Sequence, residues 1–318
     1  MRLEPPTIQE IREARKRIAG SAIRTPLVRF GVEDGPAAIW LKLENLQPIG
    51  SFKLRGSGNA VALAPKEALA RGVYTASAGN MAQGLAWHAR RLGIACTVVV
   101  PEHAPQTKID AIERYGAKIV RIPFEDWWRV IETHSHPGID ATFIHPVSDP
   151  AVIAGNATVG LEIFEDLPEV DTVLVGYGGG ALSSGIASAF AALKPGTKVY
   201  ACEVSTAAPF AASLAAGKPV SVDYVPSFID GIGGRTMLEE MWPLASKLLA
   251  GSIVVTPEEA ASALRLMVER NHVVAEGAGA VPVAAALSGE AGGGTIACVV
   301  SGGNIDPRTL AAILTGAD

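Results

Sequence analysis

Thr172-Val-Leu-Val-Gly-Tyr-Gly-Gly-Gly-Ala-Leu182 joins an apolar run of four, a turn with glycine at 176, 178, 179 and 180, and the first residues of the small-residue helical pattern LSSGIASAFAAL. An apolar strand that turns through glycines straight into a helix is the repeating joint of α/β proteins, in which a parallel sheet is covered by helices on both faces. The same alternation extends along the chain. The short runs AIWLKL, VYTA, ACTVVV, AKIVRI, ATFI, KVYAC, SIVV and TIACVV are separated by helical patterns. Thr256-Pro257-Glu258-Glu259 supplies an N-cap, a first-turn proline and a capping-box glutamate ahead of AASALRLMVER, and a charged helix is expected near Ile8 to Ile18. The expected fold class is α/β, with mostly parallel sheets flanked by helices.

Composition narrows the function classes. The 318 residues are 48% hydrophobic and 19% charged, enough apolar matter for a large core and two domains. A formal net charge of -5 with no long Lys/Arg run lacks the footprint of a nucleic-acid or anionic-membrane partner. The first twenty residues alternate charge with apolar positions and have no continuous apolar stretch, so a cytoplasmic protein acting on small molecules is expected. Cys96, Cys202 and Cys298 lie far apart inside strand-like runs and read as buried small hydrophobes rather than as a metal site or a disulfide framework.

In open α/β sheets, ligands sit beyond the carboxyl ends of the strands, so chemistry is sought at the strand-to-helix loops. The glycines of the opening stretch put unpaired amides and a helix N-terminus at one point, which is an anion cradle suited to phosphate. A rival reading takes Gly176-x-Gly178-x-x-Ala181 as a dinucleotide fingerprint, with Glu203 as the ribose-binding acid, giving a nicotinamide oxidoreductase. Its position after several βα units counts against it. Ser77-Ala78-Gly79-Asn80 ends VYTA and precedes MAQGLAWHARRLG, so it is either a second anion site, suited to a carboxylate, or a cap for that helix.

Lys53 sits beside Phe52 between Gly50 and Gly56. A solvated surface charge is the plain reading of such a lysine. If desolvated next to a phosphate site, it instead becomes a Schiff-base nucleophile with a lowered pKa. Ser301-Gly-Gly-Asn304 follows TIACVV and holds a hydroxyl at a strand end. An amine, a phosphate cradle, a carboxylate cradle and a hydroxyl together match the needs of pyridoxal phosphate.

With these four motifs in view, the chain resembles the serine/threonine dehydratase branch of the fold type II pyridoxal-phosphate enzymes, the tryptophan synthase β-like group, along essentially its whole length. The resemblance implies a large cofactor-binding domain from residues 1–47 and 146–318 and a small domain from 48–145. It implies that Lys53 carries pyridoxal 5'-phosphate, with Phe52, Asn80, the phosphate loop Gly178, Gly179, Gly180, Ala181 and Leu182, and Ser301 at the pyridine nitrogen also binding it. Ser77, Ala78, Gly79, Asn80 and Glu276 are implied to bind substrate. The segment from His145-Pro146 to Gly155-Asn156 is marked as well.

The implied reaction is β-elimination, by dehydration and deamination, of a small L-β-hydroxy amino acid such as threonine or serine to a 2-oxo acid and ammonia. β-Replacement or racemisation is the alternative within the cofactor class. Ala78 stands where racemases of the family carry a serine, which favours elimination. Glu203 matches one cation ligand of racemase-like members but Pro209 replaces the second, so no metal site of that kind is expected. A homodimer is implied. The end at Asp318 implies no regulatory domain like that of biosynthetic threonine deaminases. Trp127, Trp128, His134 and His136 are expected to pack, although an entrance role for the tryptophans remains open.

Overall fold

The computed structural model describes residues 3–32 and 35–316; Asp318, on which the expectation about a regulatory domain rests, lies outside them. Ten strands form two sheets: β1 Leu27–Arg29, β2 Ala38–Leu43, β3 Val73–Ala76, β4 Cys96–Pro101, β5 Lys118–Ile122, β6 Thr142–Phe143, β7 Thr172–Gly176, β8 Lys198–Val204, β9 Gly251–Val255 and β10 Thr295–Val300. The larger sheet runs β1-β2-β10-β7-β8-β9 and the smaller β5-β4-β3-β6. The expected apolar runs all become strands. β1 was not anticipated, and it pairs antiparallel with β2, whereas every other pairing is parallel.

The apolar character of the central strands follows from their position. Leu41 of β2 is in register with Cys298 of β10, Cys298 with Leu174 of β7, and Leu174 with Tyr200 of β8. Leu41, Leu174 and Cys298 have no exposed surface, so Cys298 does serve as a small hydrophobe, as do buried Cys96 and Cys202. The helix Gly277–Leu287, GAGAVPVAAAL, is apolar all round because it packs against β7, β8, β9 and β10, and its small residues allow that close approach. Edge strand β5 departs from the expected two-sided burial, since Lys118 and Arg121 are exposed. The capping boxes at Thr7/Glu10 and Thr256/Glu259 both form, opening helices Ile8–Ile18 and Pro257–Asn271.

The helix Lys53–Leu63 touches both halves, packing against Pro150–Asp166 on one side and Asn80–Leu92 on the other. Its crossing with Pro150–Asp166 is too close for side chains. A Cβ at Gly56 would lie 2.8 Å from Val152 Cγ1, and one at Gly155 would lie 2.6 Å from the Arg55 carbonyl oxygen. That contact gives the Gly155 mark a packing reason.

Arg55, on the same helix, is 1% exposed and forks between two buried carboxylates. Its Nε donates to Glu44 Oε2 at 2.7 Å and its Nη2 to Glu44 Oε1 at 2.8 Å; Nη1 and Nη2 donate to Glu162 Oε1 and Oε2 at 2.7 and 2.8 Å. Lys42 of β2 adds its Nζ to Glu162 Oε2 at 2.7 Å. Burial alone would raise the Glu44 carboxyl, but Arg55, Thr25 and Lys42 hold it below its ordinary 4.5.

Replacing Arg55 with Met leaves Glu44 and Glu162 buried with only Lys42 for compensation, and should cost about 3–5 kcal/mol in denaturant unfolding. In the parent protein the Glu44 contribution is present above pH 4.5 and is lost as pH falls through the depressed native value. The Met variant should lack that acid-side loss. Equal stability of the two proteins at pH 7 would show that the network carries no such load.

Candidate active site

The loops after β2, β3, β7 and β10 converge on one cleft of about 410 Å³ between the two sheets. Every residue expected to bind cofactor or substrate lines it: Phe52 and Lys53, Ser77 to Asn80, Gly178 to Leu182, Glu276 and Ser301. The convergence is built by backbone stitching. Phe52 N donates to the Ser301 carbonyl at 3.0 Å and Gly303 N to the Gly50 carbonyl at 2.9 Å, so the lysine loop and the Ser301 loop run as one ribbon.

Lys53 is the first residue of its helix, following Phe52 as the N-cap. Its Nζ donates to the Pro146 carbonyl at 3.0 Å and lies 5.2 Å from the centre of the Phe52 ring. Withdrawal from water lowers its pKa from 10.5 to about 8, against the pull of the Glu276 carboxylate. A nucleophilic amine is therefore within reach near neutral pH, and the solvated surface charge is not what is found.

The glycine turn is shaped as the phosphate reading requires. Gly180 caps the helix Ala181–Leu193 in the left-handed conformation, φ 89°, and no side chain caps that helix, leaving its first-turn amides without intrahelical acceptors. A Cβ at Gly179 would lie 2.3 Å from Val147 Cγ2, so only glycine lets the turn close on its neighbour. A Cβ at Gly180 would come 3.0 Å from the Tyr177 hydroxyl, a buried oxygen with no hydrogen-bond partner. An uncapped helix start, a bare glycine turn and a desolvated lysine in one cleft form a donor set that fits pyridoxal phosphate.

At Ser77 to Asn80 the cap alternative fails. The helix Asn80–Leu92 has Gly79 as its N-cap and no side-chain cap bond. Ser77 Oγ accepts from Gly79 N at 3.2 Å. Asn80 Nδ2 instead donates to Glu276 Oε1 and Oε2 at 2.9 and 3.1 Å, and its Oδ1 accepts from Asn304 Nδ2 at 2.8 Å. Burial raises the Glu276 carboxyl to about 7, with the Asn80 bond opposing the rise and Asp230 adding to it.

Several lining residues carried no sequence signal of their own. Lys108 Nζ and Asp230 Oδ2 meet at 2.7 Å, joining the helix Gln106–Glu113 to the loop before Gly231. His103, Phe124 and Trp127 form an aromatic rim. Trp127 donates its Nε1 to the Val99 carbonyl at 3.2 Å, so it packs and also borders the entrance. Asn304 was visible only as the end of its motif.

Glu203 stands outside the cleft. Its carboxylate, 0% exposed, accepts from Phe210 N at 2.9 Å, Ala211 N at 2.7 Å and Ser252 Oγ at 2.6 Å. The ribose-binding role drawn for it in the nicotinamide reading is thereby lost.

The match to known proteins extends over nearly the whole chain. Residues 18–302 fit the model of the family described as pyridoxal-phosphate dependent enzyme. An L-threonine ammonia-lyase of Thermotoga maritima is 40% identical over 314 residues, 97% of this chain and 78% of that protein. Maize serine racemase superposes with a TM-score of 0.90 at 32% identity, covering 98% of both chains. A bacterial-type match of the same kind is a threonine deaminase whose source is given as T.th.; it superposes at 0.86 with 33% identity, over 95% of this chain and 99% of that one. With a fold type II architecture and a cleft suited to the cofactor, the chain belongs to the pyridoxal-phosphate dependent enzymes.

Proposed function

We propose that this protein is a threonine ammonia-lyase, converting L-threonine, and L-serine as a smaller substrate, to the 2-oxo acid and ammonia. The carrying observation is the single cleft in which a lysine of lowered pKa faces a glycine phosphate cradle and a small-residue helix start. The relatives named as threonine ammonia-lyase and threonine deaminase support that choice of substrate.

When bound, pyridoxal phosphate supplies the electron sink that acidifies the substrate Cα–H bond. In this reading Lys53 anchors the cofactor and, once released, takes the Cα proton; its pKa of about 8 makes a useful fraction of free amine available near neutral pH. Amides at the start of Asn80–Leu92, with Ser77, hold the substrate carboxylate and fix the direction of the reacting bond. Gly178 to Leu182 hold the cofactor phosphate. Glu276, with a carboxyl near 7 bonded to Asn80, keeps a proton beside the substrate loop. Ser301 offers the pyridine nitrogen a neutral hydroxyl, which limits the sink and favours prompt elimination over transamination.

Ala78 brings only a methyl group to the face where racemisation needs an acid or base, so elimination is chosen over the activity in the name of the maize neighbour. The chain is divided into a large unit, 1–47 and 146–318, and a small unit, 48–145. The two sheets support that division, since β1, β2 and β7 to β10 fall in the first and β3 to β6 in the second. A homodimer is proposed from the resemblance, with exposed Ile23, Leu46 and Val274 as supporting apolar surface. A cytoplasmic setting is proposed from the acidic balance and the buried thiols. No helix among the described residues is long and apolar enough to cross a membrane.

The purified protein should show a visible cofactor band that changes on adding L-threonine as 2-oxobutyrate accumulates. Lys53→Ala should lose both the band and the product. A Lys53→Ala protein that keeps band and turnover would overturn the assignment of the anchor. Ser301→Asp should raise the share of turnovers ending in transamination, read as accumulation of the pyridoxamine form; an unchanged share would remove Ser301 from control of the sink.

A further inference from the structure

We propose that His145 is a positioning residue for Lys53, fixed as the neutral imidazole protonated on Nε2, which turns the Pro146 carbonyl toward the lysine amine. Nδ1 of His145 accepts from Val147 N at 3.0 Å and from Ser148 N at 2.7 Å. A ring nitrogen that accepts two N–H groups carries no proton of its own, so the proton is on Nε2, 3.1 Å from the carbonyl oxygen of Ile131. The ring is 2% exposed, so no water competes for either nitrogen. The tautomer is dictated by the partners.

The link to Lys53 is the planarity of one peptide group. Pro146 C=O and Val147 N–H belong to the same trans peptide and point in opposite directions. Drawing the N–H onto His145 Nδ1 sends the carbonyl the other way, where it meets Lys53 Nζ at 3.0 Å. A neutral amine donating one hydrogen to that oxygen is held with a defined lone-pair direction. The same turn seats Val147 on Gly179, so one imidazole sets the contacts of both the amine and the glycine cradle.

His134 Nε2, His145 and Glu240 Oε1 lie close enough to suggest a metal site. Both nitrogens of His145 are already engaged, which leaves it no lone pair for an ion. His134, at the end of the helix Phe124–Thr133, stacks on His145 with ring centres 4.3 Å apart, and its Nε2 lies 3.0 Å from Glu240. Burial lowers His145 to about 4, with His134 and Lys53 adding to the fall and Glu240 and the Ile131 carbonyl opposing it. The ring therefore stays neutral across the range in which Lys53 titrates.

The inference rests on Lys53 as the cofactor anchor, and the experiment separates the two. The 15N shifts of the His145 ring in the holoenzyme should show the Nε2–H tautomer from pH 6 to 9. An Nδ1–H tautomer or a charged ring at pH 7 overturns the proposal whatever the variants do. His145→Leu removes the acceptor, whereas His145→Asn keeps an oxygen close to the position of Nδ1. The Leu variant should lose about tenfold or more in kcat, with the KM for L-threonine and the bound cofactor stoichiometry unchanged, and the Asn variant should recover most of the loss. Equal kcat in all three proteins, or parallel loss of cofactor and melting temperature in both variants, reduces His145 to an ordinary core residue and overturns the proposal. Borohydride reduction followed by peptide mass analysis of the parent enzyme reports the anchor independently: cofactor trapped on another lysine refutes Lys53 while leaving the tautomer result standing.

Discussion

The arrangement of the site depends on a guanidinium placed where water cannot reach it. Arg55 sits two residues after Lys53 on the same helix, and its five donors are shared among Glu44, Glu162, Thr158 and the Ile23 carbonyl. Each partner belongs to a different part of the larger half: Glu44 follows β2, Glu162 lies on Pro150–Asp166, and Ile23 precedes β1. A planar fork can satisfy two carboxylates at once, which a lysine cannot, so the helix is fixed in rotation as well as in place. Lys53 inherits that rotation. A lysine on a helix free to roll by one residue would swing its amine out of the cleft.

Around this fixed point the cleft carries two groups moved toward neutrality from opposite sides. Burial lowers Lys53 to about 8 and raises Glu276 to about 7. The same dry surroundings that make each ion costly make the amine basic enough to take a proton and the carboxyl weak enough to keep one near pH 7. Asn80 and Asn304 space Glu276 away from the lysine and tie it to the start of the substrate-side helix, so proton holding and substrate positioning share one hydrogen-bond chain.

Most of the architecture was legible because it is written in local pattern. Apolar runs of four to six residues became strands, and the Thr256 and Thr7 capping boxes formed as their spacing implied. The site loops were legible for a related reason: glycines and small residues at strand ends have few other uses. What escaped depends on contacts distant in sequence. β1 has three residues, too few to show a period, and exists because β2 offers it an edge. Lys108 and Asp230 are 122 positions apart and look like any surface charges until the fold brings them together. The Arg55 network needed the positions of Glu44 and Glu162 in space, and the role of His145 needed its two amide donors. The resemblance marked the His145 segment without supplying its physics.

The two sides of the cleft are held by interactions of different strength. On the side of β2, β7 and β10 the site residues are fixed by buried ions, backbone stitching and close glycine packing, all of which lose much if displaced. Two of the ties across the cleft are polar: the Asn80 bonds to Glu276 and Asn304, and the Lys108–Asp230 pair, whose side chains are 32% and 56% exposed. An exposed pair of that kind contributes between nothing and about 1 kcal/mol. The cofactor side is thus built to keep its geometry, while these ties let the substrate side yield to an entering amino acid and close on it again. That asymmetry suits a reaction in which the reacting bond must be held at a fixed angle to a cofactor that does not move.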